Sequence, residues 1–339
     1  MLRLKIGEIV MRFLSKTIMT SIAAAAAMGF AAPASAATWE MAGPLPESNF
    51  LTQNIREFSD VVNQKAGGKL KINLHVSGEL VKSQDTKQAV RAGQIPIAQL
   101  YIYDYGNESP VYETSTLPFI AGSYIKSWKM WELSKPYTEE LYAKQNVKLL
   151  YVVPWPIQGY YTTKPVKSMA DFKNVKFRIY STKTARLAEL MGAEPVQVQV
   201  GEIAQAFATG LVGVMYTSPA TGIMSQAWDF AKYFTNTYGG NLSMAATVVN
   251  QREFDRLDPA TKQVLLDAAI DAQTKGWLTS ESISTAQIAE LKSHGMIIED
   301  PTPEFRADLN KIGDQMLQEW AKTAGELGQK VLKEFGPKK

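Results

Sequence analysis

The sequence predicts an α/β protein. Apolar segments of strand length alternate with helical segments that start and stop at clear cap residues. The alternation occurs in two blocks, the second over about residues 158–245. The 339 residues also suffice for roughly two domains, at about 150 residues each.

The first block begins at Ala37, where residues 37–42 form a short apolar strand candidate. Gly43, Pro44 and Pro46 then make a loop. Ser48 or Asn49 can cap a helix from Phe50 to about Lys65, which Gly67-Gly68 ends. Leu70 to Val76 alternates apolar and polar residues, as a strand does. A helix near Gln84 to Ala92 closes at Gly93, and Ile95 to Tyr101 is a further strand. Strand–helix–strand order of this kind implies parallel strands joined by crossover helices. Val147 to Trp155 is nearly continuously apolar, which predicts a buried central strand.

In the second block, Gln158 to Thr163 reads as extended and Ser168 caps a short turn. Strands follow at Val175 to Tyr180, Pro195 to Val200 and Leu211 to Tyr216. Helices lie between them, over Thr182 to Met191 and Glu202 to Thr209. Asp258-Pro259 is a strong helix start, an N-cap acid followed by proline at the first helical position. From there to about Ser293 no further proline occurs and only one glycine, Gly276. One helix over that stretch would be roughly 50 Å long at 1.5 Å per residue, enough to lie across two lobes. Two helices broken near Gly276 are the alternative. Glu304 to Phe335 is a last helical region.

The N-terminus reads differently. Arg3, Lys5, Arg12 and Lys16 give a basic start, interrupted by Glu8. An uncharged, alanine-rich run then leads to Ala34-Ser35-Ala36. That order predicts a cleaved secretory signal over residues 1–36. An uncleaved anchor is the alternative, and Met11 is an equally good start. Without this segment 32 basic and 32 acidic residues remain. No basic stripe is left, so nucleic acid is not an expected partner. The predicted location is the periplasm.

Little in the sequence points to catalysis. There are no cysteines, and His75 and His294 stand alone without metal-ligand spacing. No nucleophile elbow, phosphate-binding glycine loop or zinc-helix motif occurs. The expectation is a non-enzyme with no cofactor and no metal. Arg178 is the informative charge. It sits inside the strand from Val175 to Tyr180, immediately before a helix capped by Ser181 or Thr182. Ligands of open α/β sheets bind at the carboxyl ends of strands, and a guanidinium there holds a carboxylate through paired hydrogen bonds. The helix start adds backbone N–H donors. Exposure on an edge strand is the competing reading. Aromatic residues crowd the strand ends: Trp39, Phe50, Tyr101, Tyr103, Trp155, Tyr160, Tyr161, Tyr180 and Tyr216. They predict either a ligand pocket or core packing. Tyr160 and Tyr161 must point to opposite faces of their strand, so at most one of them faces a cleft.

Several stretches together carry a resemblance. They are Gly67-Gly68-Lys69-Leu70, Leu117-Pro118-Phe119, Phe172 to Arg178, Leu190-Met191-Gly192-Ala193, Ala206 to Val214, and Leu257-Asp258-Pro259. In this order the chain resembles the DctP-type solute receptors of tripartite ATP-independent periplasmic (TRAP) transporters. The resemblance implies a two-lobed binding-protein fold of type II-like architecture, with an interlobe cleft and a long helix along both lobes. Residues 37–157 plus about 245–285 would form the first lobe, and 158–244 plus about 286–339 the second. Arg178 matches the family arginine that pairs with the ligand carboxylate. Thr217 falls where many members have asparagine, and Gly213 replaces an aspartate. Tyr161 falls where sialic-acid-type members carry a second arginine. These changes lean toward a monocarboxylate, aromatic or apolar, with a sugar acid still open. The expected ligand contacts are Arg178, Tyr161, Trp155, Tyr180, Ser181, Tyr216, Thr217 and Ser218, closed upon by Gln99, Tyr101 and Asn49. The expected partners are a small organic carboxylate and the TRAP membrane subunits. A sensor-kinase receptor is the first alternative, and a periplasmic lyase or hydrolase the second.

Overall fold

The computed structural model describes residues 36–237 and 241–337. Nearly all of the predicted signal segment, residues 1–35, lies outside the described residues. In chain order the strands are β1 (Ala37–Ala42), β2 (Leu70–His75), β3 (Ile97–Tyr101), β4 (Val147–Pro154), β5 (Gly159–Thr162), β6 (Lys176–Ile179), β7 (Glu194–Gln197), β8 (Val214–Thr217), β9 (Tyr233–Asn236), β10 (Met244–Asn250) and β11 (Ile297–Glu299). The α-helices are α1 (Phe50–Lys65), α2 (Thr86–Ala92), α3 (Tyr124–Ala143), α4 (Thr182–Leu190), α5 (Ile203–Ala208), α6 (Pro219–Met224), α7 (Gln251–Arg256), α8 (Pro259–Ser293), α9 (Pro303–Thr323) and α10 (Gly325–Phe335).

Two sheets result. One has the order β2-β1-β3-β10-β4, the other β11-β9-β5-β8-β6-β7. In the first, β1 and β3 are parallel, and β10 runs antiparallel to both β3 and β4. In the second, β6 is parallel to β7 and β8, while β5 is antiparallel to β8 and β9. The chain crosses from the first sheet to the second after β4, returns after β9, and crosses again along α8 to β11. This is the two-lobed α/β architecture that the sequence predicts.

The caps explain most boundaries. Asn49 accepts from the Leu51 N–H to start α1. Gly93 ends α2 with φ of 76°, a left-handed conformation that glycine adopts without a Cβ penalty. Asp258 accepts from Ala260 and Thr261 at the head of α8, and Pro259 occupies its first turn. That helix is unbroken over 35 residues, so the reading with a break near Gly276 is set aside. Helix α3 follows the Ser123 cap and carries Pro136 inside it; its pattern gave no sign of a helix.

One expectation needs correction. The Val147 to Trp155 run does form a strand, but β4 lies at the edge of its sheet, not its centre. It is apolar because α8 covers it. Within α8, Gln273 accepts from the Val152 N–H at 3.2 Å and Trp277 Nε1 donates to the Val152 carbonyl at 3.1 Å. Side chains of the helix thereby satisfy edge groups that would otherwise face another chain.

Each sheet has its own core. Tyr112, Trp131, Tyr142, Val152 and Trp277 pack in the first. The second sheet is covered on both faces, Tyr160 with Phe172, Phe177 and Phe305 on one, Tyr161 with Phe234 and Leu291 on the other. Strand alternation puts the adjacent tyrosines in separate layers. Helix α9 joins two clusters: Phe305 and Leu309 belong to the second core, while Leu317 and Trp320 pack with Met130 of α3.

Gly276 lies where α8 crosses β4. A Cβ there would overlap the Val153 methyl groups and approach Asn54, whose amide donates to Ala272. Gly276→Ala should therefore destabilise the protein. Overpacking of about 1–3 kcal/mol outweighs the helix-propensity gain of about 1 kcal/mol. Thermal unfolding reads the sign directly: a raised midpoint would show that the two elements separate at no cost.

Candidate functional site

Arg178 comes from an interior strand of the second sheet, next to its edge. Its strand, β6, lies between β8 and β7, with Arg178 level with Met215 and Val196. Phe177 enters the core on one face, so Arg178 is directed to the other. It is 3% exposed, which removes the reading of an arginine on a solvent face. Its Nε donates to the Val198 carbonyl at 2.9 Å, and the guanidinium sits 5.0 Å from the centre of the Tyr180 ring. Among the described residues no carboxylate lies within ion-pairing distance of it. Burial lowers its pKa, and nearby Tyr103, Tyr180 and Asp104 oppose that shift. An arginine keeps its proton regardless, so the site holds a fixed buried cation.

A tight cavity surrounds this cation. Strands β6 and β8 of the second sheet and the segments that follow them contribute Arg178, Tyr180, Thr217, Ser218 and Thr221. The first sheet and the segment after it contribute Tyr101 and Tyr103. Trp155, Gln158 and Ser243 come from the two crossings. Tyr101 and Tyr103 are stacked at 5.4 Å with rings parallel to 1°, and Trp155 abuts Tyr101 on one side and Phe50 on the other. Tyr103 meets Tyr180 edge to face at 5.0 Å, a ring contact between the lobes. The Tyr101 hydroxyl and Trp155 Nε1 are buried without a hydrogen-bond partner among the described residues. Burial raises the pKa of Tyr101, Tyr103 and Tyr180, so all three stay protonated donors.

The two crossings are tied together beside the cavity. Trp155 N–H donates to the Ser243 carbonyl at 2.8 Å, Gln158 Nε2 donates to Ser243 Oγ at 3.0 Å, and Thr237 Oγ1 donates to the Gln158 carbonyl at 2.8 Å. Tyr180 in turn donates its hydroxyl proton to Gln158 Oε1 at 2.8 Å.

The structure gathers part of the sequence-predicted set. Arg178, Trp155, Tyr180, Tyr101, Thr217 and Ser218 share this cavity. Tyr161 does not: it is fully buried in a core, its hydroxyl on the Ser218 carbonyl and its ring against Gly222. Tyr216 packs in the opposite core layer with Tyr160. Gln99 is buried in the middle of the first sheet, opposite Thr247. Asn49 is occupied as the cap of α1, and Ser181 as the cap of α4. Ser181 lines an adjoining hollow instead. Residue-by-residue reading missed Gln158, Thr221 and Ser243. Only Gln158 left a trace, as the polar residue following the Pro154-Trp155-Pro156 break in an apolar run.

The histidines lie elsewhere. His75 pairs with Glu40 at 2.5 Å, and His294 stacks on Trp228 at 3.8 Å. Among the described residues no group of three His, Cys, Asp or Glu side chains is placed to hold a metal ion.

The chain matches the family model for bacterial extracellular solute-binding proteins, family 7 (DctP), over residues 41–323. It is similar to DctP7, a Bordetella pertussis extracytoplasmic solute receptor binding pyroglutamic acid. The two share 38% identity over 88% of this chain and 99% of that one, with a TM-score of 0.86. A marine metagenome TRAP solute-binding protein in complex with co-purified pyroglutamate is 31% identical over 88% and 98% of the two chains, with a TM-score of 0.85. The C4-dicarboxylate-binding protein DctB of Bacillus subtilis is 22% identical, over 78% of this chain and 74% of its own length.

Gln158→Leu should leave the Tyr180 hydroxyl buried with its proton unaccepted. The expected loss is about 1–3 kcal/mol, the cost of an unmade buried hydrogen bond. Adding Tyr180→Phe should return most of it. A double-mutant cycle in denaturant reads this coupling, and strict additivity would mean that the two side chains do not depend on each other.

Proposed function

The chain belongs to bacterial extracellular solute-binding protein family 7, and from that premise we propose that it captures a small cyclic monocarboxylate of the pyroglutamate kind in the cavity around Arg178. It is a TRAP-type solute receptor, in a family of binding proteins and not of enzymes. The observation that carries the ligand reading is the buried guanidinium with no carboxylate of its own. A charge taken out of water costs several kcal/mol unless it is paired. A ligand carboxylate supplies the pair, and the fork geometry of arginine favours two parallel hydrogen bonds to it.

The rest of the cavity supports the same class. Stacked tyrosines and Trp155 offer flat apolar walls, with two unpartnered donors at their rims. Three solved relatives at 31–38% identity carry pyroglutamate. Capture proceeds by closure. The ligand meets Arg178 on the second lobe, and the Tyr101–Tyr103 wall of the first lobe then swings over it about the crossings. The closed form is the one that TRAP membrane subunits receive in the periplasm.

Two measurements test this. L-Pyroglutamate at about 100 times its dissociation constant should raise stability by roughly 2.7 kcal/mol, seen as a clear shift in a thermal scan against a panel of carboxylates. Arg178→Met should abolish the shift while leaving the ligand-free protein at least as stable as wild type, because a buried unpaired charge is replaced by an apolar chain of similar length. A shift that survives the substitution would overturn the arginine anchor. A large loss of ligand-free stability would show that Arg178 is held for folding.

A further inference from the structure

Opposite the cation lies a carboxylate that the reading above does not use. Asp104 sits in the short turn Ile102–Tyr105 that follows β3. It lines a hollow, partly open to solvent, that Arg178, Tyr101, Tyr103 and Tyr180 also line. The two charges share this hollow yet do not pair: among the described residues, no cation lies within 4.0 Å of the Asp104 carboxylate. Its hydrogen bond is a long one, accepted from Ser83 Oγ at 3.4 Å. A carboxylate has about four acceptor positions, so this side chain is under-used on the side that meets the cleft.

We propose that Asp104 accepts a hydrogen bond from a ring or amino N–H of the ligand, and so selects carboxylates that carry an N–H beside the acid group. This inference rests on the carboxylate-receptor reading. In pyroglutamate the ring N–H is attached to the carbon that bears the carboxylate. An acid group held by Arg178 therefore presents its N–H within the same hollow. The cation and the carboxylate line one hollow without pairing, so a ligand that spans it meets both. Opposite poles on opposite lobes make the preference part of closure: Arg178 belongs to β6, Asp104 to the turn after β3.

The same geometry predicts a pH response. Burial pushes the Asp104 carboxyl up to about 7, against smaller opposing effects of Ser83 and Arg178. Around it, Arg178, Lys82, Glu202 and the three tyrosines face one hollow, and Lys87, Arg91 and Glu108 the adjoining one, where Lys87 is paired with Glu108 at 2.5 Å. The tyrosines are held neutral. A ligand N–H favours ionised Asp104 and lowers its pKa in the complex. Affinity is then full above about pH 7 and declines as the pH falls through it, by up to tenfold per unit.

Calorimetry on the mature protein at about pH 8 and about pH 6 tests this. The two probes are L-pyroglutamate and oxocyclopentanecarboxylate, in which a methylene replaces the ring N–H. Wild type should prefer pyroglutamate by about tenfold or more at the higher pH, and the preference should shrink about tenfold at the lower. Asp104→Asn should remove the pH step but keep part of the preference, since its amide oxygen still accepts. Asp104→Leu should remove both. Equal binding of the two acids by wild type, or a preference that persists in Asp104→Leu, overturns the proposal and leaves the receptor reading standing. A wild type that binds neither of these nor any other carboxylate overturns the receptor reading and this proposal with it.

Discussion

The site depends on one unpaired charge. Arg178 is as buried as the residues of the core, yet among the described residues no carboxylate faces it at pairing distance. Such a group costs the fold free energy, and a structure that only had to be stable would gain from an apolar side chain there. The protein instead fixes the guanidinium with minimal satisfaction, one hydrogen bond from Nε to Val198 and the face of Tyr180. Anchoring one nitrogen sets the orientation of the planar group. Strain of this kind, held in a preorganised pocket, is what converts ligand binding into a favourable closing step.

How the lobes meet follows from the kinds of contact between them. Within each lobe, sheets and cores are continuous. Across the cavity the first and second lobes touch through side chains, Tyr103 against Tyr180 and, beside them, Glu113 accepting from Thr182 and paired with Lys183 at 3.0 Å, and not through a backbone ladder. Ring contacts are separable at a cost of about 0.5–1.5 kcal/mol beyond area burial. The covalent crossings are different. They are hydrogen-bonded to each other through Trp155, Gln158, Ser243 and Thr237, and α8 packs along both lobes, on α1 and β4 at one end and α6 and β11 at the other. Hydrogen-bonded crossings beside a mouth joined only by side chains are the parts of a hinge. Tyr180 belongs to both, since its ring touches Tyr103 while its hydroxyl is on Gln158.

Much of this was legible in the chain, and the limits are physical. Caps at Asn49, Gly93 and Asp258 fixed helix ends because their chemistry is local. The long helix was visible from the lack of helix breakers. The position of β4 was not, because an apolar run records burial without saying whether strands or a helix provide the cover. Helix α3 was hidden by an internal proline. At the site, Arg178 stood out as a charge near a strand end before a capped helix, whereas Tyr180 was one of nine aromatics crowding such ends. Ser243 and Thr221 did not, since small polar residues are common everywhere and only the fold brings them to one wall. Tyr161 and Tyr216 show the converse error: strand-end aromatics are good pocket candidates in number, but which layer each enters depends on register. Both tyrosines went to the core, where Gly222 gives Tyr161 its space.

The placement of Tyr161 bears on how many charges a ligand can bring. A second cation at that position would sit beneath the start of α6, since the Tyr161 hydroxyl reaches the Ser218 carbonyl. A neutral ring is there instead, and among the described residues Arg178 is the one cation lining the inner cavity. A second ligand carboxylate would be desolvated without a partner, at a cost that one arginine cannot offset. It would also approach Asp104, whose like charge acts across the adjoining hollow. Both effects disfavour dianions and leave a single acid group as the charge this cleft can bury. The same Asp104 that repels a second acid is complementary to a donor. On the proposed reading the pole opposite the arginine selects by sign, and a compact monoacid with a polar N–H would satisfy both ends at once.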